Sequence, residues 1–354
     1  MRAFKLFTPT TALLLLVVGY ALALAVGVAD PSWSRDGLVF AAFGITGQMT
    51  GAQARMVDPV LSEVARGYQN GAMVGHKLFP IVPVGQRGGK VIQFGRESFK
   101  LYATGRAPGS NTKRVQFGYD GADFALKQDA LEGVLPYENM EEASAGPGID
   151  LSSGTVTGVQ DIIQLGREYE QAAIARNAAN YGANNKITLS GTDQFSDPAS
   201  TPGVVIKDAV ESIRRQTGKR PNVAVIGASV FAALQENPTI LDRIKYTGRD
   251  SITTAMLAAL WGIGEVVVGD AIYDANGTLT DVWGNDIVLA FTQSASVANR
   301  GLPSYGYTYR LRGYPLVEQS YYDRSAKSWI YPVTEEAKSV LAGADAGFLI
   351  VAAA

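Results

Sequence analysis

His76 is the single histidine in 354 residues, and cysteine is absent. Histidine supplies most general acid–base work near neutral pH and most transition-metal ligation. Without thiols there is no disulfide framework, thiolate zinc site or cysteine nucleophile. The chain is poor in the usual equipment of an enzyme, which leaves only carboxylate or lysine chemistry. His76 has no second ligand of its kind and reads as a structural or solvent-exposed side chain. Each motif that invites chemistry fails on its context. Gly85-Gln-Arg-Gly-Gly-Lys90 is too short for a phosphate loop and puts Val91 where a magnesium-binding hydroxyl is needed. Gly218-Lys219 follows a predicted helix instead of a strand. Gly227-Ala-Ser229 resembles half a nucleophile elbow, but Phe231 replaces the second glycine and the histidine lies upstream. Ser229 reads instead as a helix N-cap. Asp270, Asp274, Asp281 and Asp286 match no calcium-loop rhythm and read as turn formers. The tyrosines at 305, 307, 309, 314, 321 and 322 read as sheet packing in preference to a base-stacking platform. No catalytic residue, cofactor site or metal site is assigned.

Charge is the more informative signal. The formal net charge of −2 excludes a globally basic nucleic-acid binder. Locally the balance is lopsided. Between residues 85 and 116 lie Arg87, Lys90, Arg96, Lys100, Arg106, Lys113 and Arg114 against the one acid Glu97. Between 117 and 150 the sign inverts: Asp120, Asp123, Asp129, Glu132, Glu138, Glu141, Glu142 and Asp150 face the one base Lys127. Two solvated faces would explain this, and so would a basic arm docking on an acidic surface, where opposite charge sets register and partner choice.

The elements that carry these residues follow from periodicity. With 47% apolar and 18% charged residues the chain can bury a sizeable core. Asp58-Pro59 reads as an N-cap and first helical residue, with Val60, Leu61, Val64 and Tyr68 at helical spacing. Residues 79–84 look extended. Residues 85–126 read as a long β-hairpin, with alternation at 91–94 and 115–119 around a Gly/Pro/Ser/Asn tip at 104–111. Residues 155–181 read as one helix about 40 Å long, with a face marked by Val159, Ile162, Ile163, Gly166, Tyr169, Glu170 and Ala173. From 205 to 300 an α/β pattern follows. It has a helix over 206–217 closed by Gly218, a strand at 222–226, helices at 229–235 and 252–261, and strands at 265–268 and 286–291. An Asn-Gly hairpin turn sits at 274–277. Residues 305–351 are strand-rich. Residues 1–48 stand apart: Arg2 and Lys5 precede an uncharged apolar run over 6–29. It reads as a secretory signal or membrane anchor, as an upstream in-frame extension before Met49 or Met56, or as an arm that packs inside an assembly.

Several stretches, taken in order, resemble one family. They are Asp58-Pro-Val-Leu-Ser-Glu-Val-Ala-Arg-Gly-Tyr68, Leu78-Phe-Pro-Ile-Val-Pro-Val84 with Arg87-Gly-Gly-Lys90, and Arg106-Ala-Pro-Gly109. Asn185-Lys-Ile-Thr-Leu-Ser-Gly-Thr-Asp-Gln-Phe-Ser-Asp197, Arg220-Pro-Asn-Val-Ala-Val-Ile-Gly227, Ile244-Lys-Tyr-Thr247 and Asp281-Val-Trp-Gly-Asn-Asp286 follow. Together they look like tailed-phage major capsid proteins over roughly residues 57–351. The resemblance implies an α+β fold of the Hong Kong 97 type. Residues 49–84 would be the N-arm and 85–126 the E-loop hairpin. Residues 127–204 and 301–354 would form a peripheral domain including a spine helix at 155–181, and 205–300 an axial domain. Residues 1–48 lie outside the pattern.

It further implies hexamers and pentamers of an icosahedral head around double-stranded DNA, with scaffolding, portal and decoration proteins as further partners. Assembly would take place in the host cytoplasm, with no enzymatic activity, small-molecule substrate or cofactor. In that family the E-loop lies across a neighbouring subunit. This makes the seven basic residues a subunit contact, with Asp120, Asp123, Asp129, Glu132, Glu138, Glu141 and Glu142 as its acidic docking surface. Some members crosslink lysine to asparagine, and no motif here carries those residues over. An encapsulin-like cellular compartment shell is the alternative within the fold. An exported binding protein or hydrolase is the alternative outside it.

Overall fold

The computed structural model describes residues 58–67, 71–91, 105, 114, 123–145, 150–244, 252–293 and 304–354. The apolar segment 1–48, both alternating runs of the hairpin beyond Val91 and most of its glycine-rich tip lie outside these residues. So do Arg96, Lys100, Arg106, Lys113 and Asp120.

Helix α1 (Pro59–Gly67) starts where the Asp-Pro pair predicts. The Asp58 carboxylate accepts the Leu61 N–H at 3.0 Å, which satisfies one of the helix's otherwise unpaired donors. Its buried side is Leu61, Ser62 and Ala65, whereas Val60 is 71% exposed and does not belong to the predicted face. The short α2 (Gly75–Leu78) leads into β1 (Ile81–Val84), and β2 (Gly88–Lys90) and β3 (Asp123–Ala125) pair antiparallel as the described part of the hairpin. Strand β4 (Lys127–Pro136) and helix α3 (Tyr137–Ala145) come next; periodicity does not mark α3.

The long helix α4 (Leu151–Arg176) begins four residues before its predicted start and ends five before its predicted end. Asp150 fixes the start by accepting the Ser152 and Ser153 N–H groups, each at 3.1 Å. Asn177 fixes the end. Its side chain accepts the Ala179 N–H at 3.0 Å and turns the chain into a 3-10 turn over Ala178–Asn180. The buried face also differs from the predicted one. Ile162 and Tyr169 are 60% and 48% exposed, while Gln160, Gln164, Glu168 and Gln171 are buried beside Val156, Val159, Ile163, Ala172 and Ala175. Hydrophobic periodicity misses such a face because polar members such as Glu168 and Gln171 are held in it by hydrogen bonds.

The next part of the chain follows the predicted α/β order. Strand β5 (Lys186–Thr188) precedes α5 (Pro202–Thr217), which Gly218 closes at φ 67°. Strand β6 (Val223–Gly227), α6 (Ala228–Glu236), α7 (Pro238–Ile244), α8 (Thr254–Trp261) and β7 (Glu265–Gly269) follow. Strands β8 (Ile272–Asp274) and β9 (Leu279–Asp281) flank a turn with Asn276 at φ 57° and Gly277 at φ 88°. This is the left-handed pair that an Asn-Gly hairpin demands. Strand β10 (Ile287–Ala290) precedes the strand-rich end: β11 (Gly306–Leu311), β12 (Leu316–Val317), β13 (Tyr321–Asp323), β14 (Ser328–Leu341) and β15 (Gly347–Val351).

Two sheets organise these strands. In the first, β1, β11, β14 and β12 pair in that order, with β4 and β13 also on β14. The second has the order β5-β15-β10-β6-β7. Helices α5, α6 and α8 pack on one face of this second sheet, through Ile206, Ile213, Leu234 and Leu257 against Ile226 and Leu289. The end of α4 and α2 pack on its other face with Trp283 and Tyr305. Its edge strand β5 and the adjacent β15 come from outside the 205–300 stretch. Tyr305, Tyr307 and Tyr309 are all buried, consistent with sheet packing.

Candidate assembly surface

The basic hairpin is rooted firmly. Leu126 N–H donates to the Arg87 carbonyl at 2.8 Å, closing the ladder of β2 and β3. Phe124 stacks on Tyr309 with ring centroids 4.3 Å apart. Val91 is buried with Val82, Val84 and Tyr307, so the hairpin's base shares a small core with β1 and β11. Arg87 donates through Nε and Nη2 to the two Glu336 oxygens at 2.7 and 2.9 Å, and the Tyr314 hydroxyl donates to Glu336 at 3.1 Å. The Arg87 hydrogen bonds, first among the causes, hold the Glu336 carboxyl below its usual range. Arg87 is thus committed within its own chain, a bidentate geometry that fixes orientation as well as charge. Lys90 stands opposite Asp123 in the ladder, both exposed, and Arg114 is exposed.

The acidic residues divide. Asp123 is on the hairpin's own returning strand, so it does not share a surface with the others by sequence proximity. Asp129 and Glu132 lie on β4, which pairs with β14 along one edge over ten residues. Lys127 holds Asp129 at 2.7 Å, and Glu132 accepts the Tyr321 hydroxyl at 3.4 Å. Glu138, Glu141 and Glu142 are exposed on α3, immediately after β4. Glu132 of β4 and Glu138, Glu141 and Glu142 of α3 are thus exposed acids at the margin of the first sheet, whereas Asp129, three residues from Glu132, lies on the opposite face of β4.

Sequence reasoning missed the charges that tie the sheet to α4. Glu335, Glu336 and Lys338 all lie within β14. Glu335 pairs with Arg167 and, at 3.8 Å, with Arg310, while Lys338 pairs with Glu170. Further down α4, the buried Glu168 accepts the Val74 and Gly75 N–H groups at 2.9 Å and the Trp283 indole at 2.7 Å. Burial raises its pKa, opposed by those donors. A Cβ on Gly75 would lie 2.8 Å from this carboxylate and 2.2 Å from Gln171 Oε1, so the close approach requires glycine. The available signal was a run of charges inside an otherwise apolar strand, since buried charges demand partners.

The rejected motifs have structural roles. Ser229 is not the expected cap: Gly227 holds the N-cap position without a side-chain bond, and Ser229 Oγ donates to Asn285 Oδ1 at 2.7 Å. Asp286 is more than a turn former. It accepts from Arg176 Nε at 2.6 Å and from Ala352 N at 3.0 Å. Asp274 accepts the Gly277 N–H and so does serve its turn. His76 is half-buried, its pKa lowered first by burial and then by Lys77. Among the described residues no group of three or more His, Cys, Asp or Glu is placed to hold a metal, and no helix is long and apolar enough to cross a membrane.

No family model matches the chain. Individual proteins do. A major capsid protein of Burkholderia phage BcepMu is 38% identical over 304 residues, spanning 84% of this chain and 97% of that protein. The crystal structure of a phage-related protein from Bordetella bronchiseptica RB50 is 44% identical and superposes with a TM-score of 0.74, covering 85% of this chain and 98% of the other. The capsid of cyanophage P-SCSP1u, at 11% identity and a TM-score of 0.52, covers 80% and 89% and shares the fold alone. The architecture is of the Hong Kong 97 type. By its identity to a capsid protein along nearly that protein's whole length, the chain belongs to the phage major capsid protein family.

Proposed function

We propose that this capsid shell protein assembles as hexamers and pentamers of an icosahedral head around double-stranded DNA, and that a hairpin-to-edge contact joins neighbouring subunits. The hairpin is the E-loop, α4 the spine helix, and the second sheet the axial domain. The observation that supports the contact is that one chain carries both the root of a basic arm, anchored by Arg87, Phe124 and Val91, and exposed acids on β4 and α3. In this reading Arg96, Lys100, Arg106, Lys113 and Arg114 of one copy lie across Glu132, Glu138, Glu141 and Glu142 of a second. Such complementarity sets register and rejects wrong partners more than it adds affinity.

A near-neutral net charge of −2 suits a container that lines DNA without gripping it, since each phosphate contact adds salt-dependent affinity. Assembly in the host cytoplasm, with scaffolding, portal and decoration proteins as further partners, belongs to the same reading. The encapsulin-like alternative has no specific observation in its favour, because the relative aligned along nearly its full length is a phage protein.

The test is the triple reversal Arg96→Glu, Lys100→Glu and Arg106→Glu. The expected result is a subunit with unchanged circular dichroism that forms no closed shells in negative-stain electron micrographs. Adding Glu138→Lys, Glu141→Lys and Glu142→Lys restores shells. Normal particles from the first triple variant would sink the hairpin contact.

A further inference from the structure

Strands β8 and β9 belong to neither large sheet and pair only with each other. A two-stranded ribbon is marginal on its own, and this one is braced on one face only. There Tyr273 packs edge-on against Tyr169 of α4, with ring centroids 4.9 Å apart. The register sets Ile272 opposite Asp281 and Asp274 opposite Leu279, so these four share the other face by alternation. That face stays open to solvent: Ile272 is 48% and Leu279 70% exposed. Apolar side chains gathered on one exposed face point to a partner, as single ones do not. The charge around them is one-sided. From 251 to 299 the chain has five acids, Glu265, Asp270, Asp274, Asp281 and Asp286, and no lysine or arginine. Lys77 pairs with Glu265 and Arg176 with Asp286, which leaves Asp270, Asp274 and Asp281 at the ribbon without a base among the described residues.

The complement lies at the opposite end of the second sheet. Strands β6 and β7 run parallel, and β10 returns antiparallel beside β6. The ribbon connects β7 to β10, so it stands where β6 and β7 finish. Residues 218–222 lead from α5 into β6, so the end of α5 stands where β6 begins. There Arg214, Arg215, Lys219 and Arg220, all exposed, are set against the one acid Glu211, which pairs with Arg214 and Arg215. Lys219 and Arg220 have no acid among the described residues. Opposite ends of one sheet do not meet within a subunit.

We propose that the β8–β9 ribbon of one subunit docks on the basic end of α5 in a second copy. Ile272 and Leu279 pack on the aliphatic stems of the arginines, while Asp270 and Asp281 meet Lys219 and Arg220. Because the two surfaces differ, the contact is heterologous, and repeated about an axis it closes a ring. The inference rests on the hexamer and pentamer reading above, to which it adds a contact inside the ring. It does not use the hairpin.

The absence of cysteine makes the test direct. Leu279→Cys and Lys219→Cys, both at exposed positions, are introduced together into the full chain. Assembled shells are treated with a short bismaleimide and run on a denaturing gel. The expected result is a ladder ending at five and six chains, with either single variant remaining monomeric. A ladder that stops at one or two chains in normal shells overturns the contact and leaves the hexamer and pentamer reading standing. Wild-type shells without five- and six-membered rings in electron micrographs would overturn that reading instead. Should the thiol pair prevent assembly, charge reversal decides. Asp270→Lys with Asp281→Lys is expected to lose the shells at unchanged circular dichroism, and adding Lys219→Glu with Arg220→Glu to restore them. Shells from the first pair alone, or none from all four together, overturn the contact.

Discussion

Glu335 and Glu336 are neighbours in sequence yet serve opposite faces of β14, because successive side chains in a strand alternate. Glu335 faces α4 and takes Arg167, whereas Glu336 faces the hairpin root and takes Arg87 with Tyr314. Neither pairing is legible from local sequence. Arg87 and Glu336 are 249 residues apart, and nothing in either neighbourhood names the other. The acid limb of stability reports the second pair. The folded-state pKa of Glu336 lies below its ordinary value of 4.5, so the pair's stabilisation is present above that value and is lost as pH falls through the folded-state value. Glu336→Gln is therefore expected to lower the urea midpoint of the dispersed subunit at pH 7. The difference from wild type should close as the pH drops below about 4.5. A difference that stays constant down to pH 3 would show that Glu336 acts through packing and not through its charge.

Helix α4 shows what the sequence discloses about an element and what it conceals. Its existence and length follow from helix propensity and spacing, and so do α5 with its closing Gly218 and the Asn276-Gly277 turn. All of these rest on local chemistry that is written within a few residues. The helix's orientation does not. Its inward face is set by distant partners, the Val74, Gly75 and Trp283 donors for Glu168 and the Thr308 hydroxyl that accepts from Gln171, and these carry no period. Strand β4 adds a second concealed determinant: a Cβ on Gly133 would stand 2.4 Å from Thr155 Cγ2, so the strand admits the helix only where a side chain is missing. The start of the helix is a local matter again. Asp150→Ala removes the acceptor of two N–H groups and is expected to cost about 1 kcal/mol, read as a lower urea midpoint with an unchanged slope. Asp150→Asn and Asp150→Ser, which keep a capping oxygen, should recover most of the loss. Equal losses for all three would assign the effect to charge instead of capping.

At the scale of the molecule, the order of the motifs along the chain was enough to suggest the family, while the interleaving of distant segments was not written in that order. Strand β1 runs parallel to β11, more than two hundred residues later in the sequence, and β15 sits inside the second sheet between β5 and β10. The last residues are anchored again beyond the strand: Ala352 N–H donates to Asp286, Ala353 N–H to the Asn285 carbonyl, and Asn285 Nδ2 to the Ala354 carbonyl. Asp286 also holds Arg176 at the end of α4, so the C-terminus, the long helix and the second sheet share one carboxylate. Removing residues 347–354 would strip Phe348, Leu349 and Ile350 from both faces of that sheet and leave β5 and β10 without their common neighbour. Truncating one such core side chain costs about 2–5 kcal/mol, so three together reach the whole stability of a typical domain, about 5–15 kcal/mol. The deletion is expected to abolish the cooperative unfolding transition and the shells together, because the subunit cannot fold. The hairpin reversal, by contrast, leaves a folded subunit that does not assemble. A truncated protein that still unfolded cooperatively would show that the second sheet closes without its inner strand.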